Sequence, residues 1–358
     1  MDYMFYEEVA EKLNQKCYER NAYWFYDQVR PILPILNDML KTIKQGDVEF
    51  KKNNLTLADM ENDALDFYYD LDPEFEEKIG NVLEDLDHTI MYVGNPSEKG
   101  GKNAVGLKTQ IGKRGPLKNS PKVEIELHPT NNTDGIIQVG HEFGHTLNQR
   151  IQERKHPISD CIQEVETMFF EKVYADWLLK KKKITKEEHA NLIQKRKNSF
   201  YAEVKTLLEE DELLRRLDKP ITAERLISLE KEIAQQDVHK LEILKRRIDV
   251  MINGRNGNTN AYGQYEFRYV LGEIVAQALY EDYKKDPKKT ITNLKQYLKN
   301  SADYDFMPMK TKKINKKEEK RRVLDKNELD KCFGTLLGEN YEKKIKNILF
   351  SNLKNKTA

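Results

Sequence analysis

The chain has 358 residues, 34 % of them charged, yet its formal net charge is only +1. The two signs are interspersed, which excludes a global field aimed at nucleic acid or an anionic membrane. Eighteen Tyr, 13 Phe and 2 Trp supply a folded core and argue against disorder.

This length allows two to three small domains or one large helical body. Cys17, Cys161 and Cys332 are odd in number and far apart. Free thiols in a reducing compartment are expected, not a disulfide framework. The start, MDYMFYEEVAEKL, lacks the basic and apolar regions of a cleaved signal peptide. No apolar run approaches the ~18 residues of a membrane span. Cytoplasm is the default location, with non-classical secretion left open.

Residues 1–88 read as an N-terminal helical region. "NAYWFYDQVRPILPILNDMLKTIKQGD" has apolar residues at helical spacing and ends at Gly46-Asp47. "DPEFEEKIGNVLEDL" opens with Asp72 as a cap and Pro73 at the first helical position. Between 89 and 128 the pattern changes. "TIMYVGN", "AVGLKTQ" and "KVEIELHP" alternate and are separated by Gly/Pro/Asn/Lys stretches, so a small antiparallel sheet is expected. From 134 onward the pattern is helical again. Long charged helices occupy about 185–250, and a tyrosine-rich helix follows the loop "NGRNGNTN". Residues 306–358 read as a basic, solvated linker, "MKTKKINKKEEKRR", followed by two helices that pack on the core. The segment 89–305 between these ends reads as a core domain. The expected fold is mainly α-helical, with the small sheet beside one functional helix.

That helix contains "VGHEFGHTLNQ". Thr133 or Asp134 can cap it, and Gly135 opens it. Ile136, Val139, Phe143, Leu147 and Ile151 form one apolar stripe. At ~100° per residue, His141 and His145 share the opposite face, one turn apart. Two imidazoles at this spacing suit one tetrahedral zinc, and Glu142 lies beside them as a candidate general base. The plainer alternative is a pair of surface histidines. A catalytic zinc site wants a third protein ligand. "QEVETMFFE" offers Glu164, Glu166 and Glu171, with Cys161, Val165, Met168 and Phe169 as the buried face. Glu164 and Glu171 are two turns apart and point the same way, whereas Glu166 points into solvent. Glu164 is taken as the third ligand. Glu171 then orients a histidine or forms a structural ion pair. His156 precedes Pro157, a helix start, and so belongs to a loop.

"HEFGH" followed by "QEVETMFFE" resembles the thimet-oligopeptidase and oligoendopeptidase F family of zinc peptidases, over about residues 65–305. The resemblance implies a zincin-like catalytic domain, one zinc ion, and His141, His145 and Glu164 as its ligands. "AYGQYEFRYVLGEIVAQALYED" is similar to the family's tyrosine-rich helix. This implies that Tyr262 and Tyr269, and less directly Tyr265, stabilise the oxyanion; helix packing is the alternative. The chain departs from the pattern in four ways. Asn148 stands where a further His is usual. Gly257–Asn260 replaces a His before the tyrosines. The chain is short for the family, and the spacing from His141 to Glu164 is slightly tight.

The expected activity is zinc-dependent endopeptidase action on a peptide or protein, with neither nucleic acid nor membrane as partner. Two other readings stay open. One is a protease acting on a specific folded protein, possible for a bacterial effector with a more open cleft. The other is an inactive, peptide-binding relative. The strand "KVEIELH" is expected to pair with the substrate backbone, with His128 at its end as a cleft residue or a plain strand-end residue.

Overall fold

The computed structural model describes residues 3–19, 22–101, 103–108, 122–148, 162, 164–217, 219–236, 238–253, 264–300, 309–314, 317–322 and 326–354. The chain divides into two compact units that do not follow sequence order. Unit one comprises residues 1–44, 199–270 and 352–358; unit two comprises 45–198 and 271–351.

Unit one is helical. It contains α1 (Tyr3–Glu19), α2 (Ala22–Val29) and α3 (Leu33–Leu40). It also holds the C-terminal part of α8 (Lys186–Arg216), α9 (Ala223–Gln236), α10 (Val238–Asn253) and the start of α11 (Gln264–Lys285). The long helix expected from residue 21 is broken. A 3-10 turn, Arg30–Ile32, separates α2 from α3. Pro31 and Pro34 lack the N–H that a continuous helix needs. The core of this unit includes Leu13, Tyr26, Leu36, Leu207 and Leu229. Within it, Tyr26 donates to Glu210 at 2.7 Å and Arg30 pairs with Asp211 at 2.9 Å. Cys17 is buried here, as Cys332 is in unit two; Cys161 lies outside the described residues.

Unit two begins with α4 (Leu57–Leu71) and α5 (Pro73–Glu84). Thr56 and Asp59 form a capping box on α4. Asp72 caps α5 as expected, accepting from the Glu74 N–H at 3.0 Å, with Pro73 in the first turn. The Glu74 carboxyl is pulled down to about 2, first by its hydrogen bond from Lys295 and then by Lys78. A carboxyl lowered on folding stabilises above its unfolded value, ~4.3, and that stabilisation fades as pH falls toward about 2. Glu74 is 42 % exposed, so solvent screens the pair. Lys295→Met is expected to cost under ~1 kcal/mol at pH 7. The difference from wild type shrinks between pH 4 and 2.5, as urea titrations at the two pH values will show.

Three strands follow: β1 (Thr89–Val93), β2 (Ala104–Lys108) and β3 (Lys122–Leu127), in the spatial order β1-β3-β2. The sheet is mixed, not antiparallel throughout. β2 pairs antiparallel with β3, but β1 runs parallel to it, with Thr89 opposite Val123 and Val93 opposite Leu127. A parallel pair needs a long crossover, and here the crossover carries β2. Val123, Ile125 and Leu127 are fully buried, while Glu124 and Glu126 are half-buried, the alternation of a one-sided sheet. β3 is central, with both edges already paired. It therefore cannot take a substrate strand, contrary to the expectation for "KVEIELH". His128 packs its ring on Gly94 and Gly101, where any Cβ would overlap it.

Next come α6 (Thr133–Thr146), α7 (Val165–Lys180) and the N-terminal part of α8. Unit two also contains the remainder of α11, α12 (Pro287–Asn300), α13 (Lys326–Leu337) and α14 (Tyr341–Lys354) up to residue 351. The basic segment read as a linker contains an antiparallel pair, β4 (Met309–Ile314) and β5 (Lys317–Arg322). Its register sets Lys312 opposite Glu319 and Lys313 opposite Glu318. Among the described residues, no helix is long and apolar enough to cross a membrane.

Candidate metal centre

The site grows from α6. Its cap is Asn132, not Thr133 or Asp134. The Asn132 side chain accepts from the backbone N–H of Asp134 at 2.9 Å and of Gly135 at 3.3 Å. Asn132→Ala is expected to cost ~1 kcal/mol, measurable by urea unfolding. Gly135 is dictated by space, since a Cβ there would overlap the Thr130 carbonyl oxygen. Asp134 in the first turn pairs with Lys195 of α8 and accepts from Gln138 at 2.6 Å. Gln138 in turn accepts from Asn103 at 3.0 Å, and Asn103 Oδ1 accepts from the backbone N–H of His128 at 2.7 Å. These bonds tie the start of the helix to α8 and to the end of β3.

Ile136, Val139, Phe143 and Leu147 are buried, as the apolar stripe requires; Ile151 lies outside the described residues. The opposite face is not solvated, however. Glu142 is 7 % exposed and His145 5 %. Two glycines explain this. A Cβ on Gly140 would sit 2.7 Å from the Tyr174 ring, and one on Gly144 would sit 2.9 Å from the Tyr68 hydroxyl and 3.0 Å from Phe170. Gly140 and Gly144, one turn apart, therefore let α4 and α7 lie close against α6. Tyr68 completes the contact by donating to the Gly140 carbonyl at 2.7 Å. Small residues at i and i+4 in "VGHEFGHT" were the available sign that this helix is enclosed.

α7 is likewise buried on more than one side. Val165, Met168 and Phe169 are in the core, but so are Glu164 and Glu166, at 2 % and 0 % exposure. Glu166 was expected in solvent. Instead it accepts from Asn148 Nδ2 at 3.1 Å and from the Tyr297 hydroxyl at 3.4 Å. Burial pushes its carboxyl up to about 7. Neither Asn148 nor Tyr297 belongs to α7, so its own periodicity gave no sign of them.

Glu164 stands at the N-cap position of α7 and reaches both histidines. Its Oε2 is 3.3 Å from His141 Nε2 and 3.6 Å from His145 Nε2. The two imidazoles meet edge-on, 4.9 Å between centroids. One ligand atom from each of His141, His145 and Glu164 fits within 4.8 Å of the others, and this is the one such group among the described residues. Metal–ligand distances of ~2.0–2.2 Å give a tetrahedral edge of ~3.4 Å. The two nitrogen–oxygen edges, 3.3 and 3.6 Å, lie near it, so the chemistry of the donor set suits a small cation.

Glu171 takes the other nitrogen of the same ring. Its Oε1 lies 2.6 Å from His141 Nδ1. An N–H on Nδ1 leaves the Nε2 lone pair toward Glu164, the tautomer a metal needs. Burial pulls the His141 imidazole down, but the carboxylates of Glu164 and Glu171 outweigh it and hold it well above its ordinary value. The Glu171 carboxyl is raised by burial and lowered more by Arg196 and His141, to about 2. The pocket thus favours a positive charge among these groups.

The tyrosines stand differently. Tyr262, like His156, lies outside the described residues, and for Tyr265 only its place in the first turn of α11 is described. Tyr269 belongs to unit one, where Arg268 lies over its ring at 4.8 Å and donates to its hydroxyl at 3.0 Å.

No family profile and no curated protein matches this sequence. Among solved structures, the chain is similar to a "putative peptidase" from Chlamydophila abortus, with 14 % identity and a TM-score of 0.44, over 98 % of this chain and 56 % of that one. It is similar to a "putative oligoendopeptidase F" from Bacillus anthracis str. Ames, with 12 % identity and a TM-score of 0.49, over 98 % and 56 %. A carboxypeptidase from Pyrococcus furiosus matches with 14 % identity and a TM-score of 0.39, over 96 % and 66 %. The chain therefore spans 56 % to 66 % of the length of these structures. The likeness concerns the fold alone, and no residue role follows from it.

Proposed function

We propose that this chain is a zinc-dependent endopeptidase. The observation that carries the reading is the approach of Glu164 Oε2 to both His141 Nε2, at 3.3 Å, and His145 Nε2, at 3.6 Å, in a group whose ligand atoms all lie within 4.8 Å of one another. Two imidazoles and one carboxylate, with a fourth position left for water or substrate, form a typical catalytic zinc set. A bound zinc would supply Lewis acidity, acidifying water and polarising a carbonyl. The peptide bond as target comes from the sequence resemblance to thimet oligopeptidase and oligoendopeptidase F. That resemblance also supports a zincin-like catalytic domain, centred on 89–305 between the two end regions.

In this reading Glu142 does the proton work. It follows His141 directly and is buried. It takes the proton of the attacking water and passes it to the leaving amine. Glu171 keeps His141 in the required tautomer and orientation. Tyr262, Tyr269 and Tyr265 are proposed as oxyanion donors from the resemblance alone. The proposed partner is a peptide or protein substrate, and the cytoplasm is the proposed location.

A peptide-library digest with and without a chelator, beside a panel of folded proteins, tests the proposal. Chelator-sensitive cleavage of peptides is the expected result. Cleavage of one folded protein only would favour the specific-protease reading. Zinc bound at one equivalent without any cleavage would favour an inactive relative.

A further inference from the structure

Behind Glu171 stands a set of charges that the zinc-ligand pattern does not include. Arg196 of α8 places Nε 3.9 Å from Glu171 Oε2 and 3.0 Å from Glu273 Oε2 of α11. Lys172, next to Glu171 on α7, donates to the other oxygen of Glu273 at 2.6 Å. Two carboxylates are thus matched by one guanidinium and one ammonium, and the set is neutral as a whole. All four side chains are between 16 % and 21 % exposed, enough burial to hold them in one arrangement. Arg196 also lays its guanidinium against Met168 Sδ, one turn beyond Glu164 on α7. Gly272, just before Glu273, permits this meeting. A Cβ there would sit 2.8 Å from Met168 Sδ and 3.0 Å from Glu164 Cβ. Only a glycine lets α11 lie close enough on α7 for Glu273 to reach Arg196.

We infer that Arg196 is a positioning residue for the metal centre: it holds Glu171 so that Glu171 Oε1 accepts from His141 Nδ1. The inference rests on the metal reading proposed above. Glu171 reaches His141 with one oxygen, and its other oxygen needs an anchor that leaves the first in place. The Arg196 Nε–H goes to Glu273, and its positive charge lies within ion-pair distance of Glu171. Glu273 and Lys172 fix its position in turn. Glu273 also competes with Glu171 for Arg196, so the two acids have opposite effects on the centre. Losing Arg196 frees Glu171 to rotate and His141 to change tautomer. Losing the Glu273 charge hands Arg196 fully to Glu171.

Zinc affinity, measured by chelator competition on the full chain, reads this without reference to turnover. Arg196→Gln is expected to bind zinc ~10- to 100-fold more weakly than wild type, the usual size of an effect on a ligand's hydrogen-bond partner. Arg196→Lys should fall in between. In a Glu171→Gln background, Arg196→Gln should add less than about twofold, because both act through the same bond. Glu273→Gln should bind zinc at least as tightly as wild type, a sign that a merely structural role would not produce. Unchanged affinity in Arg196→Gln, or full additivity with Glu171→Gln, overturns the inference. Should Arg196→Gln fail to fold by circular dichroism, Glu273→Gln decides, and a loss beyond about threefold overturns it. A wild-type chain that binds no zinc overturns the metal reading itself and this inference with it. Wild-type binding with insensitive variants overturns the inference alone.

Discussion

Glu142→Gln is expected to hold one zinc per chain as wild type does and to cleave peptides ~10²- to 10⁴-fold more slowly, the range for loss of a general acid–base. The substitution keeps size and shape but removes the carboxylate's ability to take a proton. The separation of the two readouts is what makes it informative. His141, His145 and Glu164 make up the ligand set and Glu142 is outside it, so metal content should not move. Zinc analysis and initial rates on the same preparation check both halves. Wild-type turnover in this variant would remove Glu142 from the mechanism. A loss of zinc together with activity would instead make it part of the metal's environment.

Phe143→Ala is expected to destabilise the chain by ~3–5 kcal/mol, the cost of emptying a buried aromatic site. Phe143 is fully buried in the middle of α6. It lies between the two halves of the site, with Glu142 before it and His145 two residues on. The cavity left would be bounded by a helix enclosed on its other faces, so little relaxation is available. Urea unfolding measures the loss. At fixed temperature, zinc affinity of the remaining folded fraction should also fall, because the helix that sets both histidines loses its anchor. A loss below ~1 kcal/mol would mean the site collapses far more freely than this packing allows.

Much of the centre could be read along the chain because its parts are local. His141, Glu142 and His145 lie within five residues on one helix, and helical geometry alone puts the two imidazoles one turn apart. Glu164 and Glu171 share a face of α7 by the same geometry, and they occupy opposite nitrogens of His141. The boundaries of α5 were equally local, since Asp72 and Pro73 carry their own signals.

Other features depended on partners distant in sequence. The burial of Glu166 comes from Asn148 and Tyr297, 18 and 131 residues away. The parallel pairing of β1 with β3 depends on where the crossover carries the chain, and no alternation within either strand encodes it. Enclosure of the histidine face follows from α4 and α7 closing on Gly140 and Gly144. Arg196 and Glu273 carry no motif, because an ion pair between separate helices has no fixed spacing. By itself, the sequence of this protein determined which groups can bind a metal and along which helix they are strung, since periodicity and side-chain chemistry are local. Only the tertiary structure decided how those groups are buried, braced and charged, because burial and electrostatics are set by whatever packs across the gap.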